Sequence, residues 1–167
     1  MARIETREST PAVRQLRTRP LAAERIAQAF PLVQMSLPQV TLDAWCDFAA
    51  ALVFRPNGAA TGIILVVGER DTIAGLCSYR VERDLVHGRL LSAEHFLAFD
   101  LLDRRAVAHA LADGLEGVAR QHQCTAIHTQ LPRRGDTDPD RGGGLLDVLS
   151  TLGHRVEYIG MCKLLAP

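Results

Sequence analysis

The stretch "FDLLDRRAVAHALADGLEGVAR", residues 99–120, decides how this chain folds. Its first residues close an apolar run, and the remainder repeats apolar side chains every third or fourth position. Val107, Leu111, Leu115 and Ala119 fall on one line with Val118 beside them, the stripe of an amphipathic helix that faces a sheet. That register starts the helix at Asp103, whose carboxylate can accept from the unpaired N–H groups of the first turn. Arg104 and Arg105 follow directly. The junction therefore reads in two ways. It is a capped helix with two solvated arginines, or a helix N-terminus that offers its amides, its dipole and two cations to an anion.

Upstream, "RLLSAEHFLAFD" (89–100) is apolar on both faces, as a central strand is. Two more strand segments precede it, "GIILVVGE" (62–69) and "IAGLCSYRVER" (73–83), with the turns "ERDT" and "DLVHG" after them. Short turns between neighbours predict an antiparallel meander. Further back, "TLDAWCDFAAALVF" (41–54) reads as a helix capped by Thr41, with Leu42, Trp45, Phe48, Ala49 and Leu52 at spacings of three and four. "PLAAERIAQAF" (20–30) reads as an earlier helix opened by Pro20, with Leu21, Ile26, Ala29 and Phe30 on one face. Pro31 and Pro38 bracket a connector after it, and "VRQLRT" (13–18) alternates as a short first strand.

Downstream come a strand, "AIHTQLP", a polar loop, "RRGDTDPDRGGG", a short helix, "LLDVLSTLG", and a last strand, "RVEYIGMCKLL". The pattern predicts an α/β (α+β) architecture: a mixed, mainly antiparallel sheet flanked by helices on both faces. A charged leader over 1–12 and a single domain over 13–167 are the expected divisions.

Lys plus Arg and Asp plus Glu both number 19, so the net charge is zero and the basic excess of a nucleic-acid binder is missing. Cys46, Cys77, Cys124 and Cys162 have no paired spacing, which argues against zinc sites or a disulfide framework and suits a reducing, cytoplasmic setting. No apolar run is long enough to span a bilayer. The alternating aspartates Asp136, Asp138, Asp140 and Asp147 imitate a calcium loop, but Arg141 stands at its turn glycine and Pro139 stiffens its middle, so no metal is expected.

In element order, from about residue 13 to 165, the chain resembles the GNAT superfamily of acetyl-CoA-dependent N-acyltransferases. The resemblance is carried at the strand-to-helix turn, where the superfamily places Gln/Arg-x-x-Gly-x-Gly/Ala. The stripe aligns that motif with Asp103-x-x-Ala106-x-Ala108, in preference to Arg105-x-x-Ala108-x-Ala110, which would bury His109, Asp113 and Gly117. Both glycines are thus alanines, and the leading residue is aspartate. The closing "LLDVLSTLGHRVEY" keeps the turn glycine at Gly153, has His154 for the usual Phe, and has Leu149 where a tyrosine general acid often stands.

The resemblance implies acetyl-CoA or another acyl-CoA as cosubstrate, with no metal. It would lie between splayed fourth and fifth strands, with backbone groups of Leu97, Ala98 and Phe99 on the pantetheine arm. Arg104, Arg105, Ala106, Val107 and Ala108 would hold the pyrophosphate. Transfer to an amine needs a base, and bases of the superfamily often lie on the fourth strand, which carries Glu94 and His95. Alternation predicts that these two face opposite sides of the sheet. His128, on the following strand, is a third candidate for the same cleft, and Tyr158 a remote one.

The implied partner is a small-molecule or peptide amine, with no nucleic acid and no membrane, and a homodimer is compatible with the pattern. Two other readings stand beside it: a non-catalytic acyl-CoA-binding or partner-binding module on the same fold, and an unrelated α/β interaction domain. Gly114 and Gly117 inside the long helix are expected to permit close packing on the sheet.

Overall fold

The computed structural model describes residues 15–54, 60–99, 103–131, 144–157 and 163. Among these, the chain runs β1 (Arg17–Pro20), α1 (Ile26–Ser36), α2 (Leu42–Val53), β2 (Thr61–Val67), β3 (Ile73–Asp84), β4 (Gly88–Ala98), α3 (Arg104–Gln121), β5 (Ala126–Thr129) and α4 (Leu145–Thr151). The strands form one sheet in the order β1-β2-β3-β4-β5. Every neighbouring pair is antiparallel except β4 and β5, which are parallel. The parallel pair follows from α3, which carries the chain back across the sheet before β5 begins.

Helices cover both faces. On one, Trp45 and Ala49 of α2 and Ala29 and Val33 of α1 bury against Ile63, Leu65, Leu76 and Leu97. On the other, Val107, Leu111 and Leu115 of α3 and Val148 and Leu149 of α4 bury against Ile64, Val66, Cys77 and Leu91. The strand alternation that feeds both cores is why β2 reads as continuously apolar.

The α3 register follows the apolar stripe. Val107, Leu111 and Leu115 are fully buried, whereas Asp113 is exposed. Close approach of α3 to the sheet rests on two glycines. A Cβ on Gly75 of β3 would lie 2.7 Å from Val107 Cγ1 and 3.1 Å from the Leu97 carbonyl, and one on Gly114 would lie 3.1 Å from Ile64 Cδ1 and from Thr18 Cγ2. Gly117 departs from expectation: it is exposed and a Cβ there would touch nothing, because it sits on the solvent side of the helix.

At α2 the Thr41 hydroxyl accepts from Ala44 N at 3.2 Å, the expected N-cap. Trp45 Nε1 donates to the Ile26 carbonyl at 2.7 Å and ties α2 to the start of α1. The first helix differs from expectation. Pro20 ends β1 instead of opening a helix, a short 3-10 turn covers Ala23–Arg25, and α1 then runs through Pro31 to Ser36. Leu32 and Val33 beyond the proline are buried, and their packing offsets the backbone bond that Pro31 cannot donate. The polar loop over 132–143, and the last strand from Tyr158 apart from Lys163, lie outside the described residues, as do the leader and Cys162.

Candidate active site

The sheet is interrupted where chemistry was expected. Leu76 of β3 pairs with Leu97 of β4, and Ser78 pairs with Glu94, so two steps along β3 match three along β4. The extra residue makes a bulge, and His95 within it takes a left-handed backbone, φ 54°. A non-glycine residue at positive φ stores strain that only surrounding structure can hold in place.

The bulge resets the alternation of side chains. Leu91 and Ala93 belong to the core under α3, and so do Phe96 and Ala98 on the far side of the bulge, while Leu97 belongs to the core under α1 and α2. Glu94 and His95 therefore do not point to opposite faces, which corrects the expectation from alternation. The His95 ring meets Phe48 of α2 edge-on, 5.1 Å between centroids, and its Nδ1 lies 2.9 Å from Ser78 Oγ. The Glu94 carboxylate pairs with Arg80 at 3.3 Å, and Arg80 shares its side of β3 with Ser78.

The same place is where β4 parts from β5. Pairing between them covers Leu90–Ala93 with Ala126–Thr129, extended by Gln130 N donating to the Ala93 carbonyl at 2.8 Å. Among the described residues, no strand continues along that edge of β4 past Ala93. The recorded pairing of β4 with β5 thus ends next to the bulge.

Burial lowers the affinity of His95 for a proton, the Arg80 guanidinium acts in the same direction, and the Glu94 carboxylate opposes both. The net direction is down, so the imidazole is neutral at pH 7. The Ser78 hydroxyl has one proton, and it donates to the Glu94 carbonyl at 3.0 Å. With the hydroxyl proton on that carbonyl, the oxygen 2.9 Å from His95 Nδ1 is free to accept from Nδ1–H, the tautomer that would leave the Nε2 lone pair available. Cys77 beside it donates to the same carbonyl at 3.2 Å. Burial, reinforced by Glu94, raises its pKa far above the usual thiol range, so it is not a nucleophile at neutral pH.

At the mouth of α3, Asp103 Oδ1 accepts from Ala106 N at 2.9 Å, so the aspartate caps the helix. Arg104 folds back and its Nε donates to the Ala98 carbonyl at 3.1 Å. Arg105 is exposed. The methyls of the two alanines that stand for glycines differ in direction. Ala108 is buried in the core with Val107, away from any anion at the turn, whereas Ala106 is partly exposed.

Of the three backbone positions expected along the pantetheine arm, Phe99 N is engaged with the Ala74 carbonyl at 2.9 Å, and alternation turns Leu97 toward β3 as well. Ala98 is the one whose backbone faces away from β3, and its carbonyl is the one that accepts from Arg104. Leu149 is buried against α3, so α4 places no hydroxyl at that position.

His128 goes elsewhere. It lies opposite Ser92 on β5, with its ring 5.2 Å from that of His87 and its Nε2 3.2 Å from Glu157 Oε2. The structure thus brings Glu94 and His95 together and leaves His128 with a different group. Sequence reasoning missed Ser78, Arg80 and Phe48. Ser78, a polar residue inside an apolar strand and almost fully buried, was the one with a visible signal.

No protein-family model matches the chain, and no curated protein sequence matches it either. Solved structures do. An aminoglycoside N-acetyltransferase in complex with CoA superposes with a TM-score of 0.71 at 12% identity, covering 93% of this chain and 99% of the other. Glucosamine-6-phosphate N-acetyltransferase from Arabidopsis thaliana gives 0.63 at 14% identity, over 91% and 99%. A transcriptional regulator from Bacillus halodurans gives 0.72 at 12% identity, over 90% and 100%. At such identities the likeness is one of fold, and it extends over nearly the whole chain. The protein has the GNAT fold.

Proposed function

We propose that the protein is an N-acyltransferase that moves an acyl group, acetyl in the simplest case, from acyl-CoA to an amine of a small molecule or peptide. The observation that carries this reading is the bulge of β4, which sets a neutral His95 at the point where β4 leaves β5. His95 Nε2 takes the proton of the incoming ammonium, so that the amine lone pair can attack. Ser78 orients the imidazole through Nδ1, and the Glu94–Arg80 pair keeps the mouth of the cleft polar. The acyl-CoA thioester supplies the electrophilic carbonyl. On the protein side, the Ala98 carbonyl and the first-turn amides of α3 with Arg105 are the groups suited to hold it. Two of the similar structures are enzymes named for amino-sugar acceptors, which makes an amino sugar a sensible first acceptor to assay.

Purified protein should gain heat stability with millimolar acetyl-CoA or a longer acyl-CoA, and should release CoA thiol when an amine is added. No stabilisation by any acyl-CoA would end the proposal. A second reading, an acyl-CoA-binding or partner-binding module without turnover, is favoured by the Asp103 cap on Ala106 and by the buried Leu149. Binding without thiol release across a broad amine panel would select it.

A further inference from the structure

His87, His128 and Glu157 come from three separate segments: the turn between β3 and β4, the strand β5, and the stretch after α4. One ligand atom from each lies within 4.8 Å of the other two. His87 Nε2 is 3.1 Å from Glu157 Oε1, and His128 Nε2 is 3.2 Å from Glu157 Oε2. The rings of the two histidines meet edge-on. We propose that these three side chains bind one divalent transition-metal ion, with zinc the best match. This inference does not rest on the proposed acyl transfer.

The donor set is the first argument. Two imidazole nitrogens and one carboxylate oxygen are borderline ligands suited to zinc and open to its neighbours in the first transition row, and three protein ligands leave a fourth position for water. The spacing is the second. With bonds of about 2.0–2.2 Å, ligand atoms around a tetrahedral zinc stand about 3.3–3.5 Å apart. The two nitrogen–oxygen separations are close to that edge already, and a small rotation of the side chains completes the set. The histidine side chains are about one-quarter exposed and that of Glu157 is 45% exposed, which leaves room for the water and a route for the ion.

The third argument is how firmly His87 is held. The Asp84 carboxylate accepts from His87 N at 2.7 Å and from Val86 N at 2.9 Å, which shapes the turn. Thr125 Oγ1 donates to the His87 carbonyl and fastens the turn to the start of β5.

The consequence is a cross-link. Glu157 follows α4, whereas His87 lies in the turn between β3 and β4 and His128 on β5, at the end of the strand order, and the Glu157 carboxylate is separated from His87 by 70 positions in the chain. A bound ion would clamp the segment after α4 to the sheet at the end of β4 opposite His95, and so stabilise the fold without touching the cleft.

The test uses the full chain without an affinity tag, stripped with chelator and titrated with zinc chloride by calorimetry, and with cobalt chloride by visible absorption. The expected result is one zinc per chain with a dissociation constant of micromolar or tighter, a tetrahedral cobalt spectrum, and a rise in melting temperature on zinc addition. His87→Ala and His128→Ala should each weaken binding at least about 100-fold, and Glu157→Gln should weaken it less, while His109→Ala and His122→Ala leave it unchanged. The cobalt spectrum of the parent protein is informative even if a variant folds poorly. No saturable zinc binding by the parent up to about 100 µM would overturn the proposal. So would undiminished affinity in both His87→Ala and His128→Ala, which would assign the zinc to other groups such as Cys46 or Cys124.

Discussion

At one end of β4, His95 sits half-buried in a bulge against Phe48, with a serine on one nitrogen and its charge suppressed by burial. At the other end, His87 faces His128 with Glu157 between them and Asp84 close by, all within reach of water. The residue type is the same and the chemistry is opposite. The first environment removes water and keeps an imidazole neutral and basic at one nitrogen. The second gathers carboxylates around imidazoles in a partly solvated corner, where a cation is welcome. The difference comes from backbone geometry: a bulge turns His95 toward the helices, whereas a tight turn and a neighbouring segment hold His87 at the edge.

The largest effect should separate the two ends by turnover. His95→Ala should lower kcat about 10²- to 10⁴-fold in an acyl-transfer assay with little change in KM for acyl-CoA, the loss typical of a general base. His128→Ala should leave turnover close to the parent's. Equal losses in steady-state assays of the two variants would break the distinction.

Next in size is the packing that lets α3 approach the bulged strand. Gly75→Ala places a methyl 2.7 Å from Val107 Cγ1 and 3.1 Å from a backbone carbonyl that cannot yield easily. Overpacking of that kind should destabilise the fold by about 1–3 kcal/mol in urea unfolding. Gly117→Ala, with open space around it, should instead stabilise the helix by about 1 kcal/mol.

A smaller effect sharpens the reading of the α3 mouth. Asp103→Ala removes the cap on Ala106 and should cost about 1 kcal/mol. Asp103→Gln removes a negative charge beside the first-turn amides, so it should tighten CoA binding while costing some stability in the free protein. A calorimetric titration at low salt that finds equal affinities would show that the helix N-terminus is a capped end and nothing more.

The smallest effect is in pH. Burial holds His95 below its ordinary 6.5, so the unfolded chain takes up this proton more readily than the folded one. Its contribution to stability is complete above about pH 6.5 and declines as the pH falls through 6.5 toward the folded value. His154, also lowered mainly by burial, adds a decline of the same sign. Unfolding free energies at about pH 7.5 and 5.5 should therefore fall with acid, and His95→Gln should flatten that fall. An unchanged slope in the variant would mean that the imidazole is not held neutral.

Much of the architecture was legible because it depends on neighbours in the chain. The stripe from Val107 to Ala119 set the α3 register, Asp103 and Thr41 announced their caps, and the short turns announced the meander. Pro31 misled, since its effect on a helix was decided by the burial of Leu32 and Val33 beyond it. The candidate site was legible only as a strand that carried Glu94 and His95.

The order of elements, the two apolar faces and the stretch of β4 that carries titratable groups are properties of local spacing, and the amino-acid sequence determined them by itself. The tertiary structure decided where those groups lie and what they touch. Whether Glu94 and His95 share a side depends on one extra residue in the register of β4 against β3, and a register is a relation between strands that no single strand encodes. The meeting of His87, His128 and Glu157 depends on the closure of the chain over intervals of 70 and 29 positions. Distances of that kind arise only when the sheet is assembled and its ends brought together.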